Sequence, residues 1–481
     1  MLGRMPPSAP ARFFRLLTVI GILLSCSVVP WSIPLGPIPL GSIPPAHAQG
    51  RGSDERERGP RVVLIRDAEA EALLLIFASP LFRAAGLNAS QLRVQLVKDG
   101  ALNAFVTSGN RMYVHTGLLQ RAGSAAEVIG VLAHETGHLR NGDPTKLPEQ
   151  MREAMLKSIA AMLIGAGAGV AARDSGAGMA AALGGQSMAM RQFLSFTRAQ
   201  ESGADQTGLK LLDQNGWSAR GLLDMFAKLR EQETLTVDRQ DAYLQSHPLT
   251  GDRVAFVQQH AARSPYTNRP LPVSFEPAFA LVRAKLDGFL DTSAQVQRKY
   301  PDSDTSAAAR YARAIALYRS GRTDDSVAVL DGLIRAAPGN PWFQELKGQV
   351  LFEAGRAREA LVAYREAARL APEQPLLRVA VARAMVEGGD PALARPAIAE
   401  LQRALDRDRE DTDSWRLLSR AWGRLNEIGQ ANLALAEEAM INEDITMARR
   451  FAREAEKHLP AGPAKLRAQD IANAVKKENR P

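Results

Sequence analysis

Residues 124–144 read Ser124-Ala125-Ala126-Glu127-Val128-Ile129-Gly130-Val131-Leu132-Ala133-His134-Glu135-Thr136-Gly137-His138-Leu139-Arg140-Asn141-Gly142-Asp143-Pro144. The opening has capping-box form, with the Ser124 hydroxyl placed for the Glu127 amide and the Glu127 carboxylate reaching back. Apolar Val128 and Ile129 follow, so a helix is predicted from there to about Arg140, and Asn141-Gly142-Asp143-Pro144 supplies its stop. On that helix His134 and His138 stand at i and i+4, where two imidazoles share a face and can bind one zinc ion. Glu135 sits one position round, where it can take a proton from water. The His-Glu-x-x-His spelling rarely arises by chance in a chain with 7 histidines, although two unrelated surface histidines would spell it too.

A catalytic zinc needs a third protein ligand and one open position. A second long helix, predicted over 192–215, carries Glu201-x-x-x-Asp205. Glu201 can complete the ligand set, and Asp205, one turn later, can accept from the free ring nitrogen of a ligating histidine, His134 before His138, and so fix its tautomer. Alone, such a pair is common on solvated helices, and it gains meaning only beside the first motif. Between the two helices, residues 155–190 are rich in Ala, Gly and Met, and Lys157 is the single charge in the first 18 of them. A hairpin touching a membrane is one reading. Arg173, Asp174 and the frequent glycines favour two buried or lid-like helices instead.

Upstream, helical periodicity starts near Val62 and β-type stretches follow at 92–97 and 112–114, so the first domain is expected to be α+β. Ahead of it lie Arg4, Arg12 and Arg15, an apolar run over 16–29, and Ala46-His47-Ala48, together an export signal with cleavage expected after Ala48. The sole cysteine, Cys26, leaves with that signal, and no disulfide is then available to the mature chain. Leu23-Leu24-Ser25-Cys26 also permits a lipoprotein, anchored through Cys26. Both readings place the protein outside the cytoplasm, with the periplasm as the expected address. The formal charge of +8 is scattered along 481 residues, no nucleic-acid module accompanies it, and nucleic acid is not expected as a partner.

Downstream, Pro265, Pro270 and Pro272 mark a linker, and a helical connector is expected over 279–299. Gly321, Gly355 and Gly389 then recur 34 residues apart, as do Pro338 and Pro372, which is the tetratricopeptide period. In the clearest unit Gly348, Leu351, Gly355, Ala360, Tyr364, Ala367 and Pro372 fall where the repeat wants small contacts, large groove residues and a terminal proline. Trp415, Leu418 and Trp422 open a further unit whose turn glycine, Gly429, arrives late, as in an irregular cap. The chain thus divides into a signal (1–48), a leader (49–60), a metalloprotease domain (61–264), a linker with connector helix (265–302) and a repeat domain (303–481).

In order, these pieces resemble the M48 family of zinc peptidases, especially a periplasmic, outer-membrane-assembly-associated branch with tetratricopeptide repeats. The resemblance is carried by Asn103-Ala104-Phe105, Gly117-Leu118-Leu119, Val131 through His138, Arg198 through Gly208 and Ser246-His247-Pro248, and it spans roughly residues 62–257. It implies a mainly α chain: an α+β zincin-like metalloprotease domain with a small sheet, followed by an all-α tetratricopeptide-type superhelix. One Zn2+ per chain would be held by His134, His138 and Glu201, with Glu135 as base and Asp205 as a supporting acid. Asn141-Gly142-Asp143 stands where many relatives have a further basic or histidine residue, a departure that bears on the substrate side rather than on the zinc set. In the 246–253 segment His247 or Arg253 can give the developing oxyanion a donor beyond the metal, and either can be structural. His247 can also fill the open zinc position and hold the enzyme latent. Residues 103–106 resemble an edge strand able to pair with an extended substrate. His115, His260 and His458 have no metal-binding partner spacing.

The expected function is a zinc-dependent endopeptidase acting on exported proteins in envelope quality control, with misfolded outer-membrane proteins or their assembly machinery reached through the repeats. The alternative is a chaperone-like assembly factor that holds clients on its repeats while catalysis is secondary or latent. The intact set of His134, Glu135, His138 and Glu201 favours catalysis. Peripheral membrane contact, if any, would come through residues 155–190.

Overall fold

The computed structural model describes residues 63–146, 149, 152, 156, 175–231 and 242–474. The expected signal and leader, Cys26 and almost all of 155–174 lie outside the described residues. The described chain starts as strand β1 (Leu64–Ile65) rather than as the helix expected near Val62, and helix α1 (Ala68–Ala84) follows, its first turn capped by Asp67, which accepts from the Ala70 amide at 2.8 Å. Strands β2 (Arg93–Val97), β3 (Ala104–Thr107) and β4 (Arg111–His115) complete a sheet ordered β1-β2-β4-β3. β2 runs parallel to β4, with Arg93 opposite Arg111, and β3 runs antiparallel to β4, with Ala104 opposite Val114. β3 therefore lies at the edge of the sheet. Alternation puts Val94, Leu96, Met112 and Val114 on the buried face.

Helix α2 (Thr116–Arg121) leads into α3 (Ala125–Asn141), which carries the His-Glu-x-x-His motif. Ser124 accepts from the Glu127 amide at 3.3 Å, but the Glu127 carboxylate reaches one residue past the expected box, to the Gly123 amide at 2.9 Å and the Lys228 ammonium at 2.7 Å. At its far end Gly142 takes φ +72°, a left-handed turn that glycine makes without strain. The whole stretch from Glu127 to His138 is buried, so α3 is the central helix of the first core.

Helix α4 (Ser175–Gln214) starts well before the expected residue 192, because it absorbs 175–190, and no helix among the described residues is long and apolar enough to cross a membrane. It crosses α3 at very short range. A Cβ on Gly137 would lie 2.5 Å from the Ala204 carbonyl oxygen, and one on Gly208 would lie 3.0 Å from that of Ala133. Helices α5 (Arg220–Arg230), α6 (Ala242–Ser246) and α7 (Gly251–Arg263) close the layer, with Thr250 capping α7.

The segment read as linker and connector is part of the packing. It forms α8 (Phe275–Leu290) and α9 (Ser293–Lys299), and Phe279, Val282 and Leu286 of α8 are buried in the first core. Helix pairs follow: α10 (Ala307–Arg319) with α11 (Thr323–Ala336), α12 (Pro341–Glu353) with α13 (Ala357–Leu370), α14 (Pro375–Glu387) with α15 (Ala394–Arg407), α16 (Thr412–Arg424) with α17 (Ile428–Ile441), and α18 (Ile445–His458) with α19 (Pro463–Ala472). Gly321, Gly355 and Gly389 turn the first three pairs at φ +78°, +78° and +83°. Gly348 lets α12 seat against Tyr364, whose ring a Cβ would meet at 2.6 Å. The fourth turn is made by Asn426 at φ +59°, not by Gly429, which lies inside α17 against Leu459. A 3-10 turn at Pro391–Leu393 lengthens the third unit and displaces the register, and a further pair follows the repeat read as a cap.

The superhelix clasps the start of α1. Arg66 bonds Asp408 at 2.8 Å and Asp411 at 3.2 Å, Arg111 bonds Glu410 at 2.9 Å, and Ala68 packs with Ala367, Ala371 and Leu377. Beneath these contacts Lys285 of α8 lies 2.8 Å from Asp67, 3.5 Å from Glu69 and 3.1 Å from Glu345, while the Tyr311 hydroxyl donates to Glu69 at 2.9 Å.

Candidate metal centre

The close crossing of α3 and α4 sets His134 and His138 opposite Glu201 and Asp205, and the turn after α6 lays His247 over them. His134 Nε2 lies 3.3 Å from Glu201 Oε2, and His138 Nε2 lies 3.4 Å from Glu201 Oε1. His247 Nδ1 is 3.0 Å from Glu201 Oε1 and 3.4 Å from His134 Nε2. One ligand atom from each of His134, His138, Glu201 and His247 falls within 4.8 Å of the other three, and all four residues are buried.

The ring nitrogens show what this cluster is built to hold. His134 Nδ1 donates to Asp205 Oδ1 at 2.8 Å, and His138 Nδ1 donates to Asp143 Oδ2 at 2.9 Å. With both Nδ1 atoms protonated, each neutral ring offers a lone pair at Nε2, and the two Nε2 atoms face each other at 3.1 Å. Two lone pairs cannot bond each other, so the arrangement calls for a cation between them. The charge balance agrees. Burial disfavours the charged form of His138, but its bonds to Asp143 and Glu201 outweigh that and push it up to about 10, so an ion-free site recruits a proton where a metal would displace one. Burial alone would raise Glu201, yet the surrounding histidines hold it well below the usual carboxylate range. Glu135 is fully buried, and neither of its oxygens has a hydrogen-bond partner. His247 Nε2 stands 3.6 Å from Glu135 Oε1, and two imidazoles, a carboxylate and a glutamate free of hydrogen bonds fit a catalytic metal.

Arg253 lies under the ligands. Nε and Nη2 bond Asp205 at 2.6 and 2.9 Å, Nη1 bonds the Pro248 carbonyl at 2.9 Å, and Nη1 lies 2.9 Å from Glu201 Oε2. Its guanidinium is thus occupied by carboxylates and backbone, an arrangement suited to holding Asp205 and Glu201 rather than to meeting an oxyanion. Asp205 is held below its ordinary range, burial being outweighed by His134 and Arg253. His115, His260 and His458 stand apart, beside Asp99, Asp213 and Glu454 respectively.

Two residues escaped the sequence reading. Asn141-Gly142-Asp143 was read as bearing on the substrate side, whereas Asp143 turns back onto His138. The left-handed Gly142 directly after the motif is the signal that could have revealed it. Tyr243 stacks on His247 with ring centroids 4.6 Å apart, fully buried, and only the fold brings it there.

Comparison with known proteins matches residues 68–261 to Peptidase family M48. The beta-barrel assembly-enhancing protease of Escherichia coli (strain K12) is 27% identical over 354 residues, covering 71% of this chain and 69% of that protein. Its counterpart in Yersinia pestis is 25% identical over 361 residues, covering 73% and 72%. Metalloprotease LoiP of Escherichia coli (strain K12) is 27% identical over 168 residues, covering 34% and 60%.

Proposed function

Because the chain is a metalloprotease whose residues 68–261 form a peptidase family M48 domain, we propose that it is a zinc-dependent endopeptidase of the bacterial periplasm, acting on β-barrel proteins whose outer-membrane assembly has stalled. The observation that carries the chemistry is the pair of Nε2 atoms facing each other at 3.1 Å beside the Glu135 carboxylate, whose oxygens make no hydrogen bond. Zinc, held by His134, His138 and Glu201, would polarise the scissile carbonyl and lower the pKa of a nearby water. Glu135 takes the proton from the attacking water and returns it to the leaving amine, and with no hydrogen bond to tie its oxygens it is free to do so. Asp205 keeps His134 in the tautomer whose Nε2 faces the site, and Arg253 fixes Asp205 and Glu201 in turn. The edge strand β3 offers unpaired backbone to an extended substrate, which explains how segments of varied sequence could be presented. The repeats offer the surface for clients or for the assembly machinery.

His247 supports a latent resting state. Its imidazole reaches the same cluster as the other ligands, and as a fourth ligand it would occupy the position that water needs. Glu135→Gln tests the central reading: the variant is expected to retain one zinc per chain and to lose casein hydrolysis, since an amide cannot take the proton. Wild-type hydrolysis by that variant would overturn the mechanism.

A further inference from the structure

His134 and His138 are held in the same way by two carboxylates of different origin. Asp205 reaches His134 from α4, across the helix crossing, at 2.8 Å. Asp143 reaches His138 at 2.9 Å from the same segment, five residues on. That short reach depends on where α3 stops. Gly142 at φ +72° reverses the chain directly after the helix, and Asp143 comes back beside the turn that carries His138. The side chain is 10% exposed, so the structure takes a carboxylate out of water and sets it against the ring rather than leaving it solvated. Burying a carboxylate is costly unless it is bonded, and among the described residues the bond it makes is to His138.

We propose that Asp143 is a positioning residue of the metal centre, a second carboxylate that holds a ligating histidine, with Gly142 as the backbone device that delivers it. The inference rests on the zinc reading above. Asp143 fixes the proton on Nδ1 of His138, directs Nε2 inward and prevents rotation of the ring, while its negative charge makes the imidazole a stronger donor. Of the two histidines Asp205 bonds His134, and its remaining bonds go to Arg253, so it cannot substitute at His138.

Zinc affinity of the full chain, measured by competition with a chelating dye after metal removal and reconstitution, tests this in wild type, Asp143→Ala and Asp143→Asn. Loss of such a partner typically weakens metal binding about 10–100-fold, and that loss is expected in Asp143→Ala. Asp143→Asn keeps an acceptor oxygen and nearly the same shape, and is expected to fall between the two. Cobalt substitution adds a spectroscopic reading: the visible bands should shift in Asp143→Ala, because the ring orientation at the metal changes. The metal-free proteins lose the Asp143–His138 bond as well, but the fall in their unfolding temperature should be small beside the loss of zinc affinity, which a merely structural aspartate would not allow. Equal zinc affinity in all three proteins overturns the inference while leaving the zinc reading intact. A drop in metal-free stability that tracks the affinity loss, with unshifted cobalt bands, also overturns it. Wild type that takes up no stoichiometric zinc overturns the zinc reading and this inference together.

Discussion

Replacing Gly137 with alanine puts a methyl group into the tightest contact between α3 and α4. The new Cβ would sit 2.5 Å from the Ala204 carbonyl oxygen and 3.0 Å from the Ala204 Cα. Ordinary contact begins near 3.4 Å, so the helices must part by about 1 Å locally. Overpacking of this kind costs about 1–3 kcal/mol of stability. The functional consequence is larger, because Glu201 lies one turn before Ala204 on α4 and must stay near His134 and His138, now at 3.3 and 3.4 Å. A displacement of about 1 Å in a catalytic arrangement can lower turnover about 100-fold. Gly203→Ala is the control on the same helix: its Cβ would meet nothing nearer than the Asn141 amide nitrogen at 3.4 Å. Zinc competition, peptide turnover and thermal unfolding of both variants form the assay. The Gly137 variant should lose zinc affinity, turnover and melting temperature, and the Gly203 variant should keep all three. Wild-type zinc affinity and turnover in Gly137→Ala would refute the idea that this crossing distance sets the ligand geometry.

His247→Ala is expected to hydrolyse protein substrates faster than wild type while keeping its zinc, and slower hydrolysis would reassign His247 to the reacting carbonyl. Lys285→Met leaves Asp67, Glu69 and Glu345 without their shared ammonium, and removing one partner from such a buried group costs about 3–5 kcal/mol, measured as a shift in denaturant midpoint; an unchanged midpoint would show that the knot contributes nothing net. Burial raises Glu69 from its ordinary 4.5 to about 7 despite the opposing charge of Lys285. The folded state therefore binds this proton more tightly than the unfolded chain, so its contribution is complete below about pH 4.5 and is lost as the pH rises to about 7. Glu69→Gln should accordingly flatten the melting-temperature profile across that window, and an unaltered slope would assign the pH dependence to other groups.

What could be read from the sequence was local or periodic. Ser124, the histidine pair and the Gly142 stop lie within one helix and its ends, and the 34-residue recurrence of Gly321, Gly355 and Gly389 survives because each must adopt the same left-handed turn. The α3–α4 crossing was not legible, since nothing in the spelling of Gly137 or Gly208 says which backbone will press against it. Arg253 could be singled out as an oxyanion donor or a structural residue, but its bonds to Asp205 and Glu201 could not be foreseen, because those partners lie on another helix. Gly429 misled, as Asn426, one of the few non-glycine residues that adopt a positive φ, makes the turn and a 3-10 turn had already moved the register. Helix was expected within 155–190, but its unbroken run into the helix placed at 192 was not, because the Ala- and Gly-rich stretch has little amphipathic periodicity to show where one helix ends and the next begins.

The clasp around α1 decides where this chain can be cut and rejoined. Asp67 and Glu69 belong to the peptidase, Glu345 and Tyr311 to the repeats, and Lys285 to the helix between them, so each part holds a portion of one charge balance. A chimera joined in 286–302 keeps Lys285 and inherits unmatched buried ions unless the donor repeats bring counterparts for Glu345 and Tyr311. Exchange of repeat arrays between peptidases of this kind should tolerate variation on outward surfaces but not at these few positions. The seam, more than the catalytic motif, sets how freely the two halves can be recombined.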